Sequence, residues 1–344
     1  MLLFLMSGCI STSKITSVVE KDDHGDFLLK WEVNPYQEGK IDIYSSLNDN
    51  SIDNFTPVKS TDIEKQFARL NPTGSGLREF FILRAGNTFS GIVSNRLIEM
   101  SKIKNFRDCG GYFTTDNRQM RWGMLYRSGN LTDATLYDQE RLRRLGIKTV
   151  VDFRSERTMA QFPLFTHPSI RKIALPIVPM DADKLNEQMN DKNFNRSDAI
   201  RYVQDAYVGI VENYKSEFAE LFNILTDKTN YPILLSGSLG KDRVGLATYF
   251  ILYALGISEY VIQEDYLISN QTIKISKLIE DGQNLPEYQQ EAITALLSVN
   301  RAYIQYAIEH IQQKYNSLDN YIEKELRVTP GKKILLRKYL LYDK

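Results

Sequence analysis

Residues 232–245 read Pro-Ile-Leu-Leu-Ser-Gly-Ser-Leu-Gly-Lys-Asp-Arg-Val-Gly, and this order decides the fold. Ile233, Leu234 and Leu235 suit a short buried strand, and residues 244–255, rich in Leu, Ala, Tyr and Phe, suit a helix. A glycine-bearing turn from a strand end into a helix start aims several backbone N–H groups and the positive end of the helix dipole at one point. That point favours an anion. Lys241 and Arg243 add two cations, and the planar fork of Arg can grip a phosphate with two parallel hydrogen bonds. The nucleotide-binding form G-x-x-x-x-G-K-[ST] is excluded, because Leu235 stands at its first Gly and Asp242 at its Ser or Thr.

Three upstream blocks extend the reading: Asn105-Phe-Arg-Asp-Cys-Gly-Gly-Tyr112, Arg121-Trp-Gly-Met-Leu-Tyr-Arg-Ser-Gly129, and Leu145-Gly-Ile-Lys-Thr-Val-Val-Asp-Phe-Arg-Ser155. In that order, and with the loop, they resemble the bacterial tyrosine/serine protein phosphatase family, an atypical branch of the protein tyrosine phosphatase superfamily. The resemblance covers about residues 100–344. It implies an α/β fold, a phosphatase-like, parallel-leaning sheet flanked by helices. On the family loop H-C-x-x-G-K-D-R-T-G, Ser238, Leu239, Gly240, Lys241, Asp242, Arg243 and Gly245 fall in place. Ser236 stands at the His, and Gly237 stands at the nucleophilic Cys.

The resemblance implies a two-step mechanism in which a thiolate attacks phosphorus and the phosphocysteine is then hydrolysed. Asp242 would be the general acid, Lys241 would hold the phosphate or tune Asp242, and Arg243 would clamp two phosphate oxygens. The N–H groups of Ser238 to Arg243 would complete the cradle. Glycine has no side chain with which to attack. Losing a nucleophile costs on the order of a million-fold in turnover, roughly 8 kcal/mol of barrier. The flanking Ser236 and Ser238 lack the lowered pKa that makes a loop thiol a thiolate.

The expectation is therefore a phosphate-binding pseudophosphatase that takes a phosphorylated protein or a small phosphoester and needs no cofactor. Two other readings stay open. One is an active phosphatase, through another nucleophile or as a variant of a Cys-bearing parent. The other is an envelope scaffold or adhesion protein acting through its N-terminal domain. Asp152 and Arg154 end a strand, where ligands sit in open α/β sheets. They either line the phosphate pocket, with Asp152 orienting Arg243 or approaching the leaving group, or form a structural ion pair. Arg107 and Asp108 are expected to hold the Gly110-Gly111 turn, and Cys109 to be buried as a small hydrophobe.

A chain of 344 residues has room for about two domains. Lys plus Arg balances Asp plus Glu at 43 each, so no basic field recruits nucleic acid. The 2 cysteines, Cys9 and Cys109, exclude a disulfide framework, and the 3 scattered histidines offer no metal-ligand spacing, so no metal is expected.

Residues 1–9, Met-Leu-Leu-Phe-Leu-Met-Ser-Gly-Cys, fall short of the roughly 20 apolar residues that span a bilayer. They resemble the end of a truncated secretory signal carrying a bacterial lipoprotein box, which implies lipidation at Cys9, a membrane anchor and a place in the bacterial cell envelope. Residues 10–26 are polar and read as a linker. Residues 27–100 read as a small immunoglobulin- or fibronectin-like β-sandwich, for docking or for packing, and residues 101–344 as the phosphatase-like domain.

Within the latter, residues 180–195 are expected as a polar loop beside the site. Residues 198–225 are expected as a helix or helix pair whose stripe of Tyr202, Val203, Ala206, Tyr207, Ile210, Val211 and Tyr214 faces the core. Pro330-Gly331 should break the C-terminal helical run. The oligomeric state is open.

Overall fold

The computed structural model describes residues 13–49, 56–73, 78–178, 182–189, 191, 194–279 and 282–343. Cys9 and the signal segment around it lie outside these. The chain divides into two units, Met1–Leu97 and Ile98–Lys344.

The first unit contains β1 (Lys14–Lys21), β2 (Phe27–Asn34), β3 (Lys40–Ser46), β4 (Lys59–Asp62), β5 (Phe67–Leu70), β6 (Phe80–Ala85), β7 (Thr88–Phe89) and β8 (Val93–Ser94). They form two antiparallel sheets, β1-β2-β5 and β4-β3-β6-β7, with β8 on β6. Alternate residues of β2 (Phe27, Leu29, Trp31 and Val33) point inward with Ile41, Ile43, Phe81 and Leu83 to form one apolar cluster. The expectation of a linker over residues 10–26 is corrected here. Residues 14–21 pair along their whole length with β2, with Ile15 and Val19 buried in that cluster, Ser17 between them on the same face, and Thr16 and Val18 exposed on the other. Period-2 burial needs only every second residue to be apolar, so a polar composition concealed the strand.

In the second unit, β9 (Arg107–Asp108), β10 (Leu125–Ser128), β11 (Thr149–Asp152), β12 (Arg171–Ala174) and β13 (Ile233–Ser236) make a sheet of order β12-β11-β13-β10-β9. All pairings are parallel except β9 on β10. The β-branched run before Asp152 and the apolar run before Ser236 are buried throughout, as strands covered on both faces require.

The sheet is accompanied by α1 (Leu136–Arg144), α2 (Glu156–Gln161), α3 (Ala182–Met189), α4 (Arg196–Asn213), α5 (Lys215–Leu225), α6 (Arg243–Leu255) and α7 (Glu259–Leu267), with later helices at Glu287–Leu297, Arg301–Tyr315 and Pro330–Leu340. Two expectations change. Part of the segment read as a loop is α3, where Leu185 and Met189, four apart, pack on the core. Pro330 does not end a helix. It begins one, at the first turn after the Thr329 cap, where its missing N–H costs nothing.

Candidate phosphate-binding site

The central strand β13 delivers residues 237–242 to the carboxyl edge of the sheet, and α6 starts at Arg243. Three successive loop carbonyls are tied from outside the loop. Asn130 donates its backbone N–H (3.2 Å) and side-chain amide (3.3 Å) to the Ser238 carbonyl, Asn105 donates to that of Leu239 (2.9 Å), and Arg127 donates to that of Gly240 (2.9 Å). In a trans peptide the next N–H points opposite to the carbonyl, so the amides of Leu239, Gly240 and Lys241 face the other way, into the turn. Among the described residues no protein acceptor takes the N–H of any residue from Ser238 to Arg243. Donors left without a protein acceptor at a helix N-terminus can take an anion.

Gly240 makes the turn possible. Its φ is +67°, and a Cβ there would lie 2.1 Å from the Ser128 carbonyl oxygen. Gly237 differs. Its backbone lies outside the left-handed region, and a Cβ would approach only a Val244 methyl, at 3.2 Å.

Arg243 folds its guanidinium back across the loop. Nη1 donates to the carbonyls of Phe153 (3.0 Å) and Ile177 (2.9 Å), and Nη2 donates to the Ser238 hydroxyl (2.8 Å). Of the five N–H groups of an arginine, Nε–H and one on Nη2 have no protein acceptor among the described residues and can meet a phosphate. Burial lowers the pKa of Arg243, and the carboxylates of Asp242 and Asp152 oppose that shift.

Lys241 is buried and its Nζ lies 2.7 Å from Asp242 Oδ1, so of its two expected roles the pairing with Asp242 is the one this geometry supplies. Asp242 Oδ1 also accepts from the Tyr207 hydroxyl at 2.7 Å. Asp152 and Arg154 take the ion-pair alternative. Their buried side chains contact each other at 2.8 Å, and Arg154 braces Thr132 and the Phe162 carbonyl. The backbone of Phe153 between them, and neither side chain, holds Arg243.

Asp108 accepts from the N–H groups of Gly110 (2.6 Å) and Gly123 (2.7 Å), holding the turn as expected. Arg107 has a further role: with Arg127 it flanks the buried Asp265 (3.5 and 2.8 Å), beneath the loop at Gly240. Burial brings the Arg107 guanidinium down to about 10. Cys109 is fully buried, and that burial pushes its thiol well above the usual range, so it supplies no thiolate. Ser236 is buried and donates to the Gly129 carbonyl at 3.0 Å, while the exposed Ser238 hydroxyl contacts the Arg243 cation. Among the described residues neither serine hydroxyl is hydrogen-bonded to a base.

Residues 98–342 match the profile of the Tyrosine phosphatase family. The chain belongs to that family. This tyrosine phosphatase family member is similar to a protein of Cupriavidus necator provisionally named a tyrosine-protein phosphatase, with 30% identity over 234 residues covering 66% of this chain and 82% of that one. It is also similar to the triple specificity protein phosphatase PtpB of Mycobacterium tuberculosis, 28% identical over 257 residues, or 65% of this chain and 92% of the relative. Its likeness to the core catalytic domain of the S. cerevisiae PP-IP phosphatase SIW14 is distant, with 16% identity over 56% of this chain and 89% of that one and a TM-score of 0.26.

Sequence reasoning missed several residues of this family member's site. Val244 is a third departure, at the Thr of H-C-x-x-G-K-D-R-T-G, and its methyl is what a side chain at 237 would meet. Asn105, Arg127, Asn130 and Asp265 shape the loop from distant segments. Tyr207 lies in the stripe assigned to the core, where a phenol in place of Phe was the available signal, since a buried hydroxyl needs a partner.

Proposed function

We propose that this chain binds a phosphorylated protein in the loop of residues 237–243 and does not hydrolyse it. The observation that carries this reading is the pairing of two features: loop amides without a protein acceptor beside the two remaining N–H groups of Arg243, and a glycine at the position of the attacking group. Each charge-assisted hydrogen bond contributes about 1.5–3 kcal/mol, so several of them suffice for binding without any covalent step. Ser236 and Ser238, whose hydroxyls contact a carbonyl and a guanidinium, supply no activated replacement.

The two-sheet N-terminal unit is proposed as an immunoglobulin- or fibronectin-like module that spaces or docks the phosphatase-like unit. Lipidation at Cys9 is proposed to tether the whole to the cell envelope. Calorimetric titration with inorganic phosphate and a phosphotyrosine peptide tests the central reading. Binding is expected, with loss in Arg243→Ala and no phenol released from a chromogenic aryl phosphate. A chain that binds neither ligand refutes it.

A further inference from the structure

Two donors meet on one oxygen of Asp242. Lys241 Nζ and the Tyr207 hydroxyl each lie 2.7 Å from Oδ1, while Oδ2 has no protein hydrogen-bond partner among the described residues. A phenol has one proton. Since Tyr207 gives its proton to the carboxylate, its 2.7 Å contact with the Tyr266 hydroxyl must run the other way, with Tyr266 donating to Tyr207.

Both rings are buried on different helices, Tyr207 on α4 and Tyr266 on α7, and Tyr266 also packs against Gly245 in the first turn of α6. Burial above all, and then the neighbouring Asp242 carboxylate, raise both phenols well above their usual range, so both keep their protons throughout the physiological span. The chain Tyr266 to Tyr207 to Asp242 is a one-way series of donors ending at the loop. A packing role would need only the rings; the two hydroxyls have a direction that packing does not require.

We infer that Tyr207, backed by Tyr266, is a positioning residue for Asp242. It fixes Oδ1, compensates its charge together with Lys241, and leaves Oδ2 as the single carboxyl oxygen that can carry the proton given to the ester oxygen of a bound phosphate. The inference rests on the cup reading above. Without the Tyr207 donor, the Asp242 charge is less compensated and repels an anion in the cup more strongly.

The test is a double-mutant cycle on sulfate affinity in the full chain, using sulfate because its charge is constant across the working pH. Tyr207→Phe is expected to weaken sulfate binding about fivefold in the native chain and less than about 1.5-fold in an Asp242→Asn background, a coupling within the range seen for residues in one network. Equal losses in the two backgrounds, as loose packing would produce, overturn the inference. So does no loss in either.

A second measurement uses Gly237→Cys and aryl phosphates of graded leaving-group pKa. Tyr207→Phe should cost poor leaving groups at least about tenfold more than good ones, since only the former need a well-placed acid. A uniform loss overturns the assignment. If the native chain has no sulfate affinity, the cup reading fails and the leaving-group series alone decides Tyr207. If there is neither affinity nor turnover, both are refuted.

Discussion

Putting a cysteine at position 237 should return turnover to the chain, and the structure sets how much. Gly237 has a backbone that any residue can adopt, and its added Cβ meets one Val244 methyl at 3.2 Å, so a shift of a few tenths of an ångström admits the side chain. The new sulfur would lie at a helix N-terminus, among free amides and near Arg243, surroundings that lower a thiol pKa into the range where the thiolate prevails.

Removal of a nucleophile costs on the order of a million-fold, so restoring it has a ceiling of roughly 8 kcal/mol in barrier. Val244 keeps Gly237→Cys below that ceiling. The group nearest the new side chain is a methyl, and a hydroxyl there would donate to the thiolate, worth about 1.5–3 kcal/mol or roughly ten- to a hundredfold in rate. We expect Gly237→Cys to release phenol from a chromogenic aryl phosphate about 10⁴–10⁵ times faster than the parent, and Gly237→Cys with Val244→Thr to gain about another tenfold or more. Mass spectrometry of an acid-quenched reaction should find phosphate on the new cysteine. A double variant that melts like the parent and binds phosphate, yet releases no phenol above the parent rate, refutes the claim that only the attacking atom and its neighbour are missing.

Other expectations concern the frame. Arg243→Ala removes a two-pronged charged contact and should weaken phosphate binding at least about a hundredfold by calorimetry. Gly240→Ala places a methyl into the Ser128 carbonyl at a left-handed φ of +67° and should destabilise the fold by about 2–5 kcal/mol in urea titration. Asp265→Ala leaves two buried guanidinium groups without their shared carboxylate and should cost about 3–5 kcal/mol in the same assay.

Glu212 provides a pH test. Burial opposes its ionisation, but hydrogen bonds from Lys314, His310 and Tyr315 outweigh that and bring its pKa down to about 2. A depressed carboxyl stabilises the fold above its unfolded value of roughly 4.3 and loses that contribution as pH falls toward 2. The stability gap between the parent and Glu212→Gln, up to about 3 kcal/mol at pH 7, should therefore close across that interval in denaturant titrations.

Local chemistry made part of the molecule readable in advance. The run from Ile233 to Leu255 announced a strand, an anion-favouring turn and a helix, since each depends on adjacent residues. The β-branched residues before Asp152 announced a buried parallel strand for the same reason. What escaped was whatever depends on partners distant in sequence. No spacing rule links Asn105 to the Leu239 carbonyl, 134 residues on, or Tyr207 to Asp242. The strand at residues 14–21 and the helix at residues 182–189 escaped for another reason: each is short and mostly polar, with two apolar residues carrying its packing.

The outside anchoring of carbonyls 238–240 separates form from chemistry in the genetics of this protein. Asn105, Arg127 and Asn130 are encoded far from the loop, so a codon change at position 237 leaves untouched the residues that keep the mould. Substitutions at those three codons should do the reverse, flattening the mould while leaving the loop's own letters intact. A genetic screen in a Gly237→Cys background would then sort alleles into two groups, those that abolish capture and those that change only the fate of the captured group.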